Sequence, residues 1–96
     1  MIKLIEVVQT NMNDYSLREV YVNPSHVVYL REDFTMQNRL HEGKSNFPSE
    51  LDTRQTFTRV QIHNGTTGTE FVVIGPPKVV EEKLNNSAKK RELLHG

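Results

Sequence analysis

Three polar side chains, Arg59, Gln61 and His63, recur at every second position of the run TFTRVQIH, with Phe57 at the head of the same series. In a β-strand, residues two apart share one face of the sheet. An aromatic ring that can stack on a base, beside basic and amide groups that can meet phosphate, is the make-up of a nucleic-acid-binding sheet. Tyr29, Arg31 and Tyr21 on neighbouring strands would extend such a surface. The solvent face of a half-covered sheet needs the same polar residues with no ligand at all. Twelve Lys and Arg against twelve Asp and Glu give the chain a formal net charge of zero, so no overall field draws it to phosphate or anionic lipid, and the solvent-face reading is favoured.

Other candidate chemistry is thinner. The four histidines, His26, His41, His63 and His95, have no ligand-like spacing, and without cysteine there is neither a thiolate site nor a disulfide. NGTTG lacks the lysine of a phosphate loop and sits between two apolar runs, where it reads as a hairpin turn. Glu50 and Asp52 fall in a proline-containing loop with nothing nearby to tune a carboxyl for acid–base work. No catalytic residue, metal site or cofactor is expected.

The elements that must position these groups follow from pattern. Ile2 to Gln9 is rich in β-branched residues on both faces and reads as a strand inside the sheet; Leu17 to Val22 alternates, and His26 to Arg31 is dense in β-branched and aromatic types. Between the latter two, Asn23-Pro24 removes a ladder donor and marks a corner at which two adjacent strands turn sharply. Thr56 to His63 and Glu70 to Ile74 flank Asn64-Gly65 and should pair as a hairpin. Gly75-Pro76-Pro77 stops the last strand and opens a C-terminal helix over 77–94, in which Val80, Leu84 and Ala88 recur every four residues.

The segment 34–55 holds Gly43, Pro48 and several Asn and Ser residues without a sustained period, and reads as a long loop or a hairpin extension. Its apolar residues Phe34, Met36, Leu40 and Phe47 are available to pack on the rim of the sheet or on a partner. From Glu32 to Gln55 three basic residues oppose five acidic ones, 3 − 5 = −2, whereas from Lys78 onward five basic oppose three acidic, 5 − 3 = +2. The two regions are suited to pair, within one chain or between chains.

The whole is expected to be one domain over 1–96, mainly β: a small curved antiparallel sheet or partly open β-barrel of about five strands with a C-terminal α-helix. The opening MIKLIEVVQT has too short an apolar core for a secretory signal, and no run is long enough to span a membrane, so a cytoplasmic protein is expected and the acceptor-like NGT at 64–66 is discounted.

EVYVNPSHVVYLRED and TRVQIHNGTTGTEFVVIGPPKVVEEKL resemble the FlbD-type small proteins associated with bacterial flagellar operons. Met1-Ile2-Lys3-Leu4, Tyr21-Val22-Asn23-Pro24, Asn64-Gly65, Val72-Val73 and the helix from Val79 to Leu84 carry the likeness. It covers about two thirds of the chain and consists of turn and core positions, so what it implies is architecture; the 34–55 segment and the basic tail depart from it. The function expected from the chain is that of a non-enzymatic interaction or scaffolding module that self-associates, bacterial or phage in context, with Phe34, Met36, Leu40 and Phe47 as partner contacts. The alternative is a small nucleic-acid-binding regulator using Tyr29, Arg31, Arg59, Gln61 and His63.

Overall fold

The structure, a computed structural model, describes residues 1–63 and 65–95, with side chains described through Asn86. Five antiparallel strands form one sheet: β1 (Ile2–Asn11), β2 (Asp14–Val22), β3 (Val27–Glu32), β4 (Phe57–His63) and β5 (Gly68–Ile74), in the order β2-β1-β5-β4-β3. Two helices accompany them, α1 (Phe34–Glu42) and α2 (Pro77–His95). No described helix is long and apolar enough to cross a membrane.

The order is the cyclic sequence of an up-and-down barrel with one seam left unpaired. β1 pairs with β2 through the turn at Met12-Asn13, and β5 pairs with β4 from Phe57↔Ile74 to His63↔Gly68. β1 meets β5 at Glu6↔Val73 and Val7↔Val72, and β3 pairs with β4. β2 and β3 are therefore the two edges, not neighbours, which corrects the expectation of two adjacent strands around Asn23-Pro24. The sheet does not close into a barrel.

Asn23-Pro24 still makes the corner. Pro24–His26 is a single 3-10 turn, with Pro24 at its start where no backbone N–H is required. The Asn23 side chain accepts hydrogen bonds from the Ser25 N–H (3.1 Å) and hydroxyl (2.8 Å) and caps the turn. Five residue steps from Val22 to Val27 reach at most roughly 16–18 Å. A link that short between opposite edges forces the sheet to curl.

The inside of the curl holds one core. Ile2, Leu4, Val22, Val60 and Val73 come from four strands, Val80 and Leu84 from α2, and Val20, Val27, Leu30, Ile62 and Phe71 pack around them. The four-residue spacing of Val80 and Leu84 places both on the face of α2 that enters the curl, as the pattern requires. The helix begins after Gly75, whose φ of +108° favours a residue without Cβ. The Gly75 N–H donates to the Thr56 carbonyl (2.9 Å), and its own carbonyl accepts from the fully buried Thr58 hydroxyl (2.7 Å). These bonds fix the angle at which chain leaves sheet for helix. Side chains of the basic tail, Lys89, Lys90 and Arg91, lie outside the described residues, as do Asn64 of the hairpin signal and the side chains of Ala88 and His95.

The segment 34–55 is not a plain loop or a hairpin extension: it opens with α1. Asp33 caps the helix by accepting from the N–H groups of Thr35 (3.1 Å) and Met36 (3.3 Å), and Gly43, at φ +73°, ends it in the left-handed conformation. Met36 and Leu40, four residues apart, face the outer side of the sheet, where Val7, Tyr15, Phe57 and Val72 form a second core with Phe47, Leu17 and Ile74. Phe47 stacks on Tyr15 with ring centroids 4.7 Å apart and planes 8° from parallel. The outer face is thus half covered by α1 and the segment after it.

Candidate interaction surface

What remains of the outer face is polar, and pairing across the strands explains which residues meet there. Arg31 lies opposite Arg59, and Tyr29 opposite Gln61; Gln61 in turn lies opposite Glu70 on β5. A bulge at Val28 makes this possible. Val27 faces Ile62 and Tyr29 faces Gln61, so Val28 is an extra residue that lets Val27 and Leu30 both turn inward while Tyr29 and Arg31 turn out.

Glu70 is the centre of the cluster. The Tyr29 hydroxyl donates to its carboxylate (3.0 Å) and accepts from the Arg31 guanidinium (3.1 Å), which also lies over the Tyr29 ring, 4.9 Å from its centroid. Arg31 and Arg59 approach Glu70 at 3.8 and 3.9 Å. Arg59 donates its shorter bond, 3.0 Å, to the buried carboxylate of Asp33. Two guanidinium groups face two carboxylates. Four of the residues expected on a nucleic-acid face, Tyr29, Arg31, Arg59 and Gln61, do come together, but as a charge-balanced network and not as an open basic surface.

The other members of that expectation separate. His63 lies at the exposed end of β4 opposite Gly68. Tyr21 is on β2, the opposite edge, where its hydroxyl donates to Glu19. Phe57 shares the face of Arg59 yet is fully buried beneath α1 and Phe47, so it has no surface on which a base could stack.

The four residues expected to contact a partner also divide. Leu40 is buried, and Met36 and Phe47 pack against the outer core, so these three serve the chain's own fold. Phe34, the first residue of α1, stays 61% exposed. Val28, which no sequence signal marked, is 60% exposed on the bulge of an edge strand. Asp33 and Glu70 were likewise missed. A capping pattern before Phe34 would have found Asp33; Glu70 is a lone acidic residue whose role arises only from its neighbours across the sheet.

Beside α1 an open cleft is lined by Gln37, Asn38, His41, Thr53 and Arg54. Arg54 is tied to Asp52, whose carboxylate accepts from the Arg54 guanidinium and its backbone N–H (2.8 Å). The side-chain bond from Arg54 lowers the pKa of Asp52 below the ordinary carboxylate value, with the backbone bond next in weight. The Gln37 amide oxygen is buried without a protein donor. His26, His41 and His63 lie on three separate elements.

No protein-family model matches the chain, and neither curated proteins nor solved structures match it.

Proposed function

We propose that this chain acts by contact and not by catalysis, as a non-enzymatic interaction or scaffolding module that self-associates. The observation that carries this is the apolar character of an open edge: β3 is an edge strand, and two large apolar side chains, Val28 on its bulge and Phe34 at the start of α1 just after it, are 60% and 61% exposed amid charged neighbours. Exposed apolar groups rimmed by polar ones are a mark of contact surfaces, and an edge strand offers unpaired backbone groups beside them. Zero net charge removes the repulsion that would otherwise keep copies apart.

Light scattering after size exclusion tests it, from micromolar to millimolar protein. The mass is expected to rise with concentration, and the double variant Val28→Thr, Phe34→Ser, which leaves both cores intact, is expected to stay monomeric. A wild-type protein that is monomeric throughout refutes self-association.

A second reading has one observation in its favour: Arg31 stacked over an exposed Tyr29, the arrangement of a nucleic-acid-binding regulator using Tyr29, Arg31, Arg59, Gln61 and His63. The carboxylates of Asp33 and Glu70 weigh against it.

A further inference from the structure

Two arginines meet on the open part of the outer face. Arg31 on β3 is the direct cross-strand partner of Arg59 on β4. Like charges so placed repel, and an anion between them removes the repulsion.

The chain's own anion does not bridge them. Glu70 lies on β5 opposite Gln61, two residues along β4 from Arg59 and two strands away from Arg31. Its carboxylate accepts a short bond from the Tyr29 hydroxyl (3.0 Å) but stands 3.8 Å from the Arg31 guanidinium and 3.9 Å from that of Arg59. A charge-assisted N–H···O bond runs about 2.7–2.9 Å, so neither contact is one. Both guanidiniums are nonetheless fixed in place. One Arg59 nitrogen donates to the buried Asp33 carboxylate (3.0 Å), while Arg31 lies over the Tyr29 ring and donates one nitrogen to the Tyr29 hydroxyl (3.1 Å). A guanidinium carries its N–H donors in a rigid fork, so each arginine keeps donors with no short protein acceptor, already oriented by the fold. Donors held in advance are what a bidentate oxyanion binds at least cost.

We propose that Arg31 and Arg59 together bind one compact oxyanion, a carboxylate or a phosphate, which bridges the two guanidiniums where Glu70 falls short. Glu70, with a side chain 36% exposed and one short bond, from the Tyr29 hydroxyl, is the group that yields its place. The ligand carries its charge at one point. A polyanion would bring further charges against Asp33 and Glu70, and a chain of zero net charge supplies no field to offset them. The site uses neither Val28 nor Phe34 and is independent of self-association.

The probes are inorganic phosphate and a blocked Gly-Glu-Gly peptide, each titrated into isotopically labelled protein at a concentration where light scattering finds monomer. Chloride holds the ionic strength constant, so that screening alone produces no response. The Nε–H resonances of Arg31 and Arg59 are expected to shift together and to saturate, with a dissociation constant on the order of 1 mM for the better probe. Glu70→Gln removes the competing carboxylate and is expected to tighten binding about tenfold. Arg31→Gln, at a side chain 63% exposed and outside both cores, is expected to fold and to lose the response. Saturation by the peptide alone assigns the site to an acidic side chain of a protein, and saturation by phosphate alone assigns it to a phosphate group; both outcomes support the site. No saturable shift by on the order of 10 mM of either probe, binding no tighter in Glu70→Gln, or binding unchanged in Arg31→Gln would each overturn the proposal. So would a single-stranded oligonucleotide that binds through the same arginines more tightly than either probe, which would establish the nucleic-acid reading instead.

Discussion

Replacing Asp33 should loosen three elements at once. Its N–H donates to the Phe57 carbonyl (2.9 Å) where β3 ends, one carboxylate oxygen caps α1 through Thr35 and Met36, and the other accepts from Arg59 at 3.0 Å. Asp33→Ala keeps only the backbone bond. Loss of the cap costs about 1 kcal/mol. Loss of a hydrogen bond between charged groups costs about 1.5–3 kcal/mol where the partner is buried, but the Arg59 side chain is 36% exposed and retains Glu70 nearby, so about 1–2 kcal/mol is the expected share. The sum is about 2–3 kcal/mol. At about 4–8 °C per kcal/mol for a domain of this size, the melting temperature should fall on the order of 10–20 °C. Asp33→Asn keeps a capping oxygen and loses the charge, and should cost about half as much. Urea unfolding followed by circular dichroism measures both. An alanine variant within about 0.5 kcal/mol of wild type, below the usual cost of one lost cap, refutes the role assigned to Asp33. An asparagine variant as unstable as the alanine one refutes the division between cap and charge.

Phe47→Ala removes the ring stacked on Tyr15 and should cost about 2–3 kcal/mol, less than a fully buried phenylalanine, while making residues 44–56 the first site of limited proteolysis. Carboxyl titration by NMR should place Asp52 below the usual aspartate value, and Arg54→Ala should bring it back up; what the bond contributes to stability is present at neutral pH and is lost as pH falls through the lowered value. A single-stranded oligonucleotide titrated at low salt should bind weakly or not at all, because Arg31 and Arg59 face Glu70 and Asp33; tight binding lost in Arg59→Ala would instead establish the nucleic-acid reading.

Period and turn chemistry carried most of the architecture into view. The strands read from Ile2, Leu17, His26, Thr56 and Glu70 are all present: β1, β2 and β5 run two or three residues further where hairpins continue into their turns, β3 and β4 each begin one residue later, and Val80 and Leu84 pack as their spacing requires. α1 was hidden because nine residues are too few to show a period, and because Gly43 and Pro48 suggested a loop. Asp33 and Gly43 are in fact its two caps. Strand order was hidden for a different reason. A short link such as Asn23 to His26 ordinarily joins neighbours, and only the pairing of β1 with β5, decided by residues far apart in the chain, assigns β2 and β3 to opposite edges. The polar cluster lay between these cases: Tyr29, Arg31, Arg59 and Gln61 share a face by alternation, but the acids that neutralise them come from β5 and from the cap of α1.

The β1–β5 contact also sets the order of assembly. β1–β2 and β3–β4–β5 are each held together by hydrogen-bonded ladders of their own, whereas Val7 and Val72 are 72 − 7 = 65 positions apart. Closing that span costs about 2 kcal/mol more chain entropy than closing the Gln9–Tyr15 end of the first hairpin. The two ribbons are therefore expected to form first, with docking along Val7–Val72 the slow event, which position-by-position folding kinetics of Val7→Ala and Val72→Ala would test. The same line, paired at only Glu6↔Val73 and Val7↔Val72, is where native opening is expected to begin, so amides of Glu6 to Val8 and Val72 to Val73 should exchange together, ahead of those within either ribbon.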